Sequence, residues 1–203
     1  IQNTWVYLGI NNQTRKSQLI KYFLKGFLIS IILMGIIIFP LFLNNWILWK
    51  GELSIKIVLN AIALTIGIGF AEELIFRGWL LEEFKNQYGG TNSALIQAGV
   101  YSFAHFGKDI PALEMLSIFC GLFLLGILLY LRKLNDNYCI WGCVGLHGGL
   151  VGIWFLLRNG LLEISEDTPS WIIGPGNLNP NPLGGFYGIS ILLMFCMITF
   201  HNR

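Results

Sequence analysis

Two adjacent carboxylates and an arginine interrupt an otherwise apolar segment of the chain. The segment reads Gly-Phe-Ala-Glu-Glu-Leu-Ile-Phe-Arg-Gly, and its ionisable residues are Glu72, Glu73 and Arg77. On a helix, Glu73 and Arg77 stand four residues apart and face each other as an ion pair. Glu72 is rotated by about 100° toward a different neighbour. The spacing therefore predicts one carboxylate held in an ion pair and one available for chemistry.

Two histidines lie in other apolar segments, at His105 and His147. The helical pattern that contains Glu72 continues until Gly89-Gly90 breaks it, and Glu72 and His105 lie at nearly equal distances on either side of that break. An antiparallel helical hairpin would place both side chains about 25 Å from the turn, at 1.5 Å per residue. We therefore expect Glu72 and His105 to meet. One buried histidine is more often an ordinary core residue, but two histidines beside a Glu-Glu pair favour a functional site.

This set of side chains is suited to hydrolysis by water. Glu72 is the candidate general base, and His105 would hold the same water or protonate the leaving amine. His147 would donate a hydrogen bond to the oxyanion of a tetrahedral intermediate. Glu72, His105 and His147 would alternatively bind Zn²⁺, which accepts histidine nitrogen and carboxylate oxygen. No His-Glu-x-x-His motif is present, so the sequence requires no cofactor, and Zn²⁺ remains an alternative.

The composition indicates that these residues lie in a membrane. Of the 203 residues, 55% are hydrophobic and only 12% are charged, against about 25% charged residues in soluble domains. The net charge of +2 is too small for a nucleic-acid interface, so we expect the lipid bilayer as the partner and no nucleic acid. Apolar runs near the length that spans a bilayer predict an all-α, polytopic transmembrane helix bundle of about six spans: 22–43, 54–76, 93–106, 112–131, 138–157 and 187–200.

The chain is predicted to form a polar, partly amphipathic N-terminal lead-in at residues 1–21 and one transmembrane helical domain at 22–203. Residues 159–186, rich in Pro, Gly and Asn, are predicted to be one long loop. The distribution of Lys and Arg places both termini in the cytoplasm. We expect a multi-pass protein of the plasma (inner) membrane, with the thylakoid membrane as an alternative. Because the chain begins at Ile1 rather than Met, further sequence before it is expected.

At its polar residues the sequence resembles the CAAX prenyl protease type II and bacteriocin-processing family of intramembrane proteases, also called CPBP or Abi proteins. The family motif Glu-Glu-x-x-x-Arg is matched by Glu72, Glu73 and Arg77. A second motif, Phe-x-x-x-His, is matched at 101–105 with Tyr101 as its first residue. A third, His-x-x-x-Asn or Asp, begins at His147 but has Val151 at its last position. The resemblance covers 63–154.

The resemblance implies a membrane endopeptidase with a protease core at 63–154, in which Glu72 and His105 are central and His147 stabilises the oxyanion. It implies a peptide or a prenylated protein as the substrate. Val151 cannot donate a hydrogen bond, so either Tyr101 supplies the donor or His147 acts alone. Family members have been described as metalloproteases and as glutamate proteases, and we favour the glutamate mechanism. The alternatives are a catalytically weak relative acting as an immunity or scaffold protein and, less favoured, a transporter.

Overall fold

The computed structural model describes residues 3–10, 15–107, 111–176 and 180–201. Within these residues the chain forms eight helices and two short strands. The helices are α1 (Thr4–Tyr7), α2 (Lys16–Leu43), α3 (Ile55–Tyr88), α4 (Gly90–Phe103), α5 (Ala112–Asn135), α6 (Trp141–Leu161), α7 (Ser170–Ile173) and α8 (Phe186–His201). The strands are β1 (Ile47–Trp49) and β2 (Leu162–Ile164).

Four of these helices, α2, α3, α5 and α6, are long and apolar enough to cross a membrane. α8 is a shorter apolar helix of 16 residues, and α4 has 14 residues. The prediction of an all-α, polytopic bundle of membrane helices is therefore confirmed, and the protein is an integral membrane protein. The count of six spans stays a prediction, because two of the predicted spans correspond to these shorter helices.

The structure differs from the predicted boundaries at several helix ends, including the start of α2 at Lys16 rather than residue 22, and most of all in two places. α3 does not end near residue 76 but continues to Tyr88, with π-helical turns at Leu64–Ile68 and Leu74–Leu80. The predicted loop at 159–186 contains β2, α7 and a 3₁₀ turn at Pro182–Gly184. β2 pairs antiparallel with β1. This strand pairing joins segments far apart in the sequence, so the local loop-forming composition did not reveal it.

The chain divides into two compact units, and the boundaries between them fall within α3 and α5 and after β2. The first unit comprises Ile1–Trp79 and Arg132–Asp167, and the second comprises Leu80–Leu131 and Thr168–Arg203.

In the first unit, glycines bring the backbone of α6 very close to α2 and α3. A Cβ atom on Gly145 would lie 2.9 Å from the backbone nitrogen of Phe27 in α2. A Cβ on Gly69 of α3 would lie 2.8 Å from the Cα of Gly148 in α6. Such contacts are closer than side chains allow, and small residues at helix crossings are typical of membrane bundles. They bring the helix that carries His147 next to the helix that carries the Glu-Glu pair.

In the second unit, α4 follows α3 after a turn at Gly89, whose φ of +77° favours glycine. The unit contains a cluster of four aromatic rings: Phe103, Phe106, Phe119 and Phe123. The Ser117 hydroxyl, on α5, donates a hydrogen bond to the carbonyl of Gly184. These contacts attach the end of α4 and the 3₁₀ turn to α5.

The four cysteines are free thiols. Three of them are buried, and Cys120 is exposed. Burial raises the pKa of the Cys139 thiol, which lies in the turn before α6. Cys139 therefore remains protonated and acts as a small packing residue.

Candidate active site

The predicted ion pair between Glu73 and Arg77 is present on α3. Nη1 of Arg77 donates to Oε1 of Glu73 over 2.8 Å, and both side chains are fully buried. Glu73 ends an α-helical turn, and Arg77 lies in the π-helical turn Leu74–Leu80 that follows it. π-helical turns are rare and occur frequently at functional sites. The two charges offset each other, which makes their burial tolerable.

His147 contacts the same carboxylate oxygen. Its Nδ1 donates to Oε1 of Glu73 over 2.8 Å, and the residue is only 3% exposed. Oε1 of Glu73 therefore accepts hydrogen bonds from both Arg77 and His147. This contact was not predictable from the sequence, because the residues are 74 positions apart and no local spacing indicates it. A carboxylate on one ring nitrogen fixes the orientation of a histidine and the role of its other nitrogen.

Glu72 lies beside the second nitrogen of the same histidine. Oε2 of Glu72 is 3.9 Å from Nε2 of His147, and the Glu72 side chain remains 27% exposed. This separation is within ion-pair range but beyond a hydrogen bond. The predicted division between a buried, paired Glu73 and a more accessible Glu72 is therefore observed.

His105 lies in the second unit, two residues beyond the end of α4. Its Nδ1 is 2.8 Å from the backbone carbonyl oxygen of Tyr101, and the two rings meet edge to face with centroids 4.7 Å apart. A carbonyl oxygen only accepts hydrogen bonds, so Nδ1 carries the proton in this contact. Tyr101, 1% exposed, thus orients His105 through its backbone and its ring.

One further polar residue on α4 was not singled out by the sequence. Gln97 is fully buried one turn before Tyr101, and neither atom of its amide has a hydrogen-bond partner within the described part of the chain. The available signal was the four-residue interval from Gln97 to Tyr101 and again from Tyr101 to His105, since residues four apart share one face of a helix. α4 therefore carries Gln97 and Tyr101 on one face, and His105 follows just after the helix ends.

The structure brings Glu72, Glu73, Arg77 and His147 together in the first unit. His105 and Tyr101 contact each other in the second, and the meeting of Glu72 with His105 stays a prediction. Within each unit, the described residues contain no group of three or more His, Cys, Asp or Glu side chains placed to hold a metal ion. The predicted Zn²⁺ ligands are divided between the two units, so the metal alternative also stays a prediction.

The first unit thus holds a partly exposed carboxylate beside a histidine, a second carboxylate that the histidine contacts, and an arginine that pairs with that second carboxylate. The model of the family described as type II CAAX prenyl endopeptidase Rce1-like matches residues 54–153, about half of the chain. The chain belongs to this family of membrane proteases. The matched range includes the segments that carry Glu72, His105 and His147. No curated protein and no solved structure matches the chain significantly.

The buried ion pair predicts that Arg77→Ala loses more stability than Lys85→Ala, which removes another cation from the same helix. Arg77→Ala leaves Glu73 buried without its guanidinium partner, a change that costs about 3–5 kcal/mol in soluble proteins. We expect a lower melting temperature in detergent together with lost activity. The control is Lys85→Ala, because Lys85 lies 3.5 Å from Glu82 in a partly exposed pair worth about 0.5 kcal/mol at most. An inactive Arg77→Ala protein with unchanged melting would instead assign Arg77 to substrate binding.

Proposed function

We propose that the protein is an intramembrane endopeptidase that hydrolyses a peptide bond of a membrane-associated substrate with water activated by Glu72 and His105. The observation that supports this most is the pair of carboxylates around His147. Glu73 fixes one ring nitrogen at 2.8 Å, and the partly exposed Glu72 lies 3.9 Å from the other. One carboxylate thus orients the histidine, and the second is left to act on water.

In the proposed reaction, Glu72 takes a proton from water as the water oxygen attacks the carbonyl carbon of the scissile peptide bond. Nε2 of His105 holds the same water, because the bond to Tyr101 keeps the proton on Nδ1. The doubly protonated form of His147 donates through Nδ1 to Glu73 and through Nε2 to the oxyanion. The proton taken by Glu72 then passes to the leaving amine, and the C–N bond breaks.

The same residues also suit a metal mechanism. A histidine that donates Nδ1–H to a carboxylate, as His147 does to Glu73, is the usual arrangement of a zinc ligand. A bound Zn²⁺ would polarise the carbonyl and lower the pKa of water. We favour the glutamate mechanism, because the Glu72 side chain remains 27% exposed beside His147 and the Glu73 carboxylate is already bound by Arg77 and His147. Activity that survives exhaustive chelation would support this choice.

The proposed substrate is a peptide or a prenylated protein in the bilayer, and the proposed location is the plasma membrane with both termini in the cytoplasm.

One observation favours a second candidate function. Val151, one turn after His147 on α6, replaces the Asn or Asp of the family motif, and valine cannot donate to an oxyanion. A catalytically weak relative that acts as an immunity or scaffold protein would tolerate this change.

Removing the base distinguishes these two functions. We expect Glu72→Gln and His105→Ala each to abolish cleavage and leave the protein inserted and folded, because neither is the fully buried partner of an ion pair. The readout is cleavage of a farnesylated C-terminal peptide in vesicles, or of a substrate identified by comparing membrane proteomes with and without an active copy. The control is Glu83→Gln, which removes a carboxylate farther along α3. Normal cleavage by Glu72→Gln would reject the proposed base, and a phenotype that persists in Glu72→Gln would favour the scaffold.

The departure at Val151 predicts a gain of function. Val151→Asn places an amide one turn from His147, on the same face of α6. Removing one oxyanion donor from a protease costs about 10²–10³ in rate, so a partly aligned new donor is expected to raise kcat up to about tenfold, less the cost of burying an amide. If the Tyr101 hydroxyl already fills this role, Tyr101→Phe cripples the enzyme and Val151→Asn has no effect. Unchanged turnover in both variants would contradict the oxyanion assignment.

A further inference from the structure

A buried lysine contacts the backbone of the helical turn that carries Arg77. Nζ of Lys133, in the last turn of α5, donates to the carbonyl oxygen of Arg77 over 2.6 Å. Lys133 is fully buried, and both residues belong to the first unit. Taking an ammonium group out of water costs several kcal/mol before any compensation. Packing alone does not compensate this cost, so the hydrogen bond from Lys133 to the Arg77 carbonyl is expected to have a structural role.

The position of the accepted oxygen suggests the reason. The Arg77 carbonyl lies inside the π-helical turn Leu74–Leu80, where the backbone departs from the regular i to i−4 pattern of hydrogen bonds. The side chain of that same residue donates to Oε1 of Glu73, which in turn accepts from His147. A displacement of the Arg77 backbone is therefore transmitted to the carboxylate that orients His147.

The surroundings of Lys133 keep the contact dry and fixed. Gly9 adopts a φ of +71°, and a Cβ on it would lie 3.5 Å from Cε of Lys133, so the N-terminal segment covers the lysine stem. The ammonium also lies at the C-terminal end of α5, where a helix dipole favours positive charge. The neighbouring Arg132 is used differently, because its guanidinium pairs with Asp136.

We propose that Lys133 is a positioning residue of the active site, which holds the π-helical turn through the Arg77 carbonyl and so sets the Glu73–His147 contact. It touches neither the substrate nor the reacting atoms. This inference rests on the proposed protease function. The sequence alone gives little indication of this role, since Lys133 follows Arg132 at a helix end where basic residues are ordinary.

The test compares variants of Lys133 with variants of Arg132, the buried cation at the neighbouring position of α5. Lys133→Met keeps the length of the stem and removes the donor, and we expect kcat to fall by roughly tenfold or more with KM changed by less than about twofold, because misplacement of catalytic groups affects the transition state. Arg132→Met removes a buried ion pair without touching Arg77, so it should lower the melting temperature at least as much and leave kcat near that of the wild type. Lys133→Gln, which keeps a hydrogen-bond donor, should recover part of the lost kcat.

A second comparison tests whether Lys133 acts through Glu73. If it does, Lys133→Met combined with Glu73→Gln should be no slower than Glu73→Gln alone, because residues that act as one unit are not additive. Equal kcat losses in Lys133→Met and Arg132→Met, or multiplicative losses in the double variant, would overturn the proposal.

If Lys133→Met does not fold, Lys133→Arg takes its place, since arginine keeps the charge but displaces the donor. Wild-type kcat in Lys133→Arg would then also overturn the proposal. Absence of any cleavage that depends on Glu72 in the wild-type protein would reject the protease function itself. That result is distinct from a working protease in which Lys133 has no effect on kcat.

Discussion

The structure of the site depends on one carboxylate oxygen, Oε1 of Glu73. It accepts a hydrogen bond from Arg77 within its own helix and another from His147 across the helix packing, each over 2.8 Å. A carboxylate this deeply buried is stable only when charge and hydrogen bonds compensate it. The two donors provide this, and the same bonds fix the histidine beside Glu72. The interaction that makes the charge tolerable in the membrane is therefore the interaction that arranges the site.

The rest of the first unit serves this contact. Gly69 and Gly148 allow α3 and α6 to approach until their backbones nearly touch, and only this approach lets a glutamate on one helix reach a histidine on the other. Arg77, within the π-helical turn Leu74–Leu80, pairs with Glu73, and Lys133 binds the Arg77 carbonyl oxygen. Close backbone packing and buried hydrogen bonds thus stabilise the buried charges, which water would stabilise in a soluble enzyme.

The sequence predicted those parts of the structure that depend on local spacing. The apolar runs indicated membrane helices because a bilayer imposes their length, and the four-residue spacing of Glu73 and Arg77 indicated their ion pair. Features that depend on tertiary packing were not predictable. These include the contact of His147 with Glu73, the bond from Lys133 to Arg77 and the pairing of β1 with β2, because each joins segments that are distant in sequence and no single-chain periodicity encodes the partner.

The family motif explained which residues to examine but not how they interact. It paired His147 with position 151, whereas the structure pairs His147 with Glu73. It aligned Tyr101 with a phenylalanine, whereas the structure shows the Tyr101 carbonyl oxygen in contact with His105, and the oxyanion role of the Tyr101 hydroxyl stays a prediction. In both cases the histidine uses Nδ1 to contact a fixed oxygen. This common arrangement is a property of the folded chain rather than of its motifs.

The most direct test of this account is the protonation of the histidine ring nitrogens, measured by ¹⁵N NMR on histidine-labelled protein in detergent. The chain has three histidines, so single His→Gln variants assign the signals. The account predicts a proton on Nδ1 of His147 that is held in a hydrogen bond and is lost or weakened in Glu73→Gln but not in Glu83→Gln. A His147 ring protonated only at Nε2, or a signal unaffected by Glu73→Gln, would contradict it.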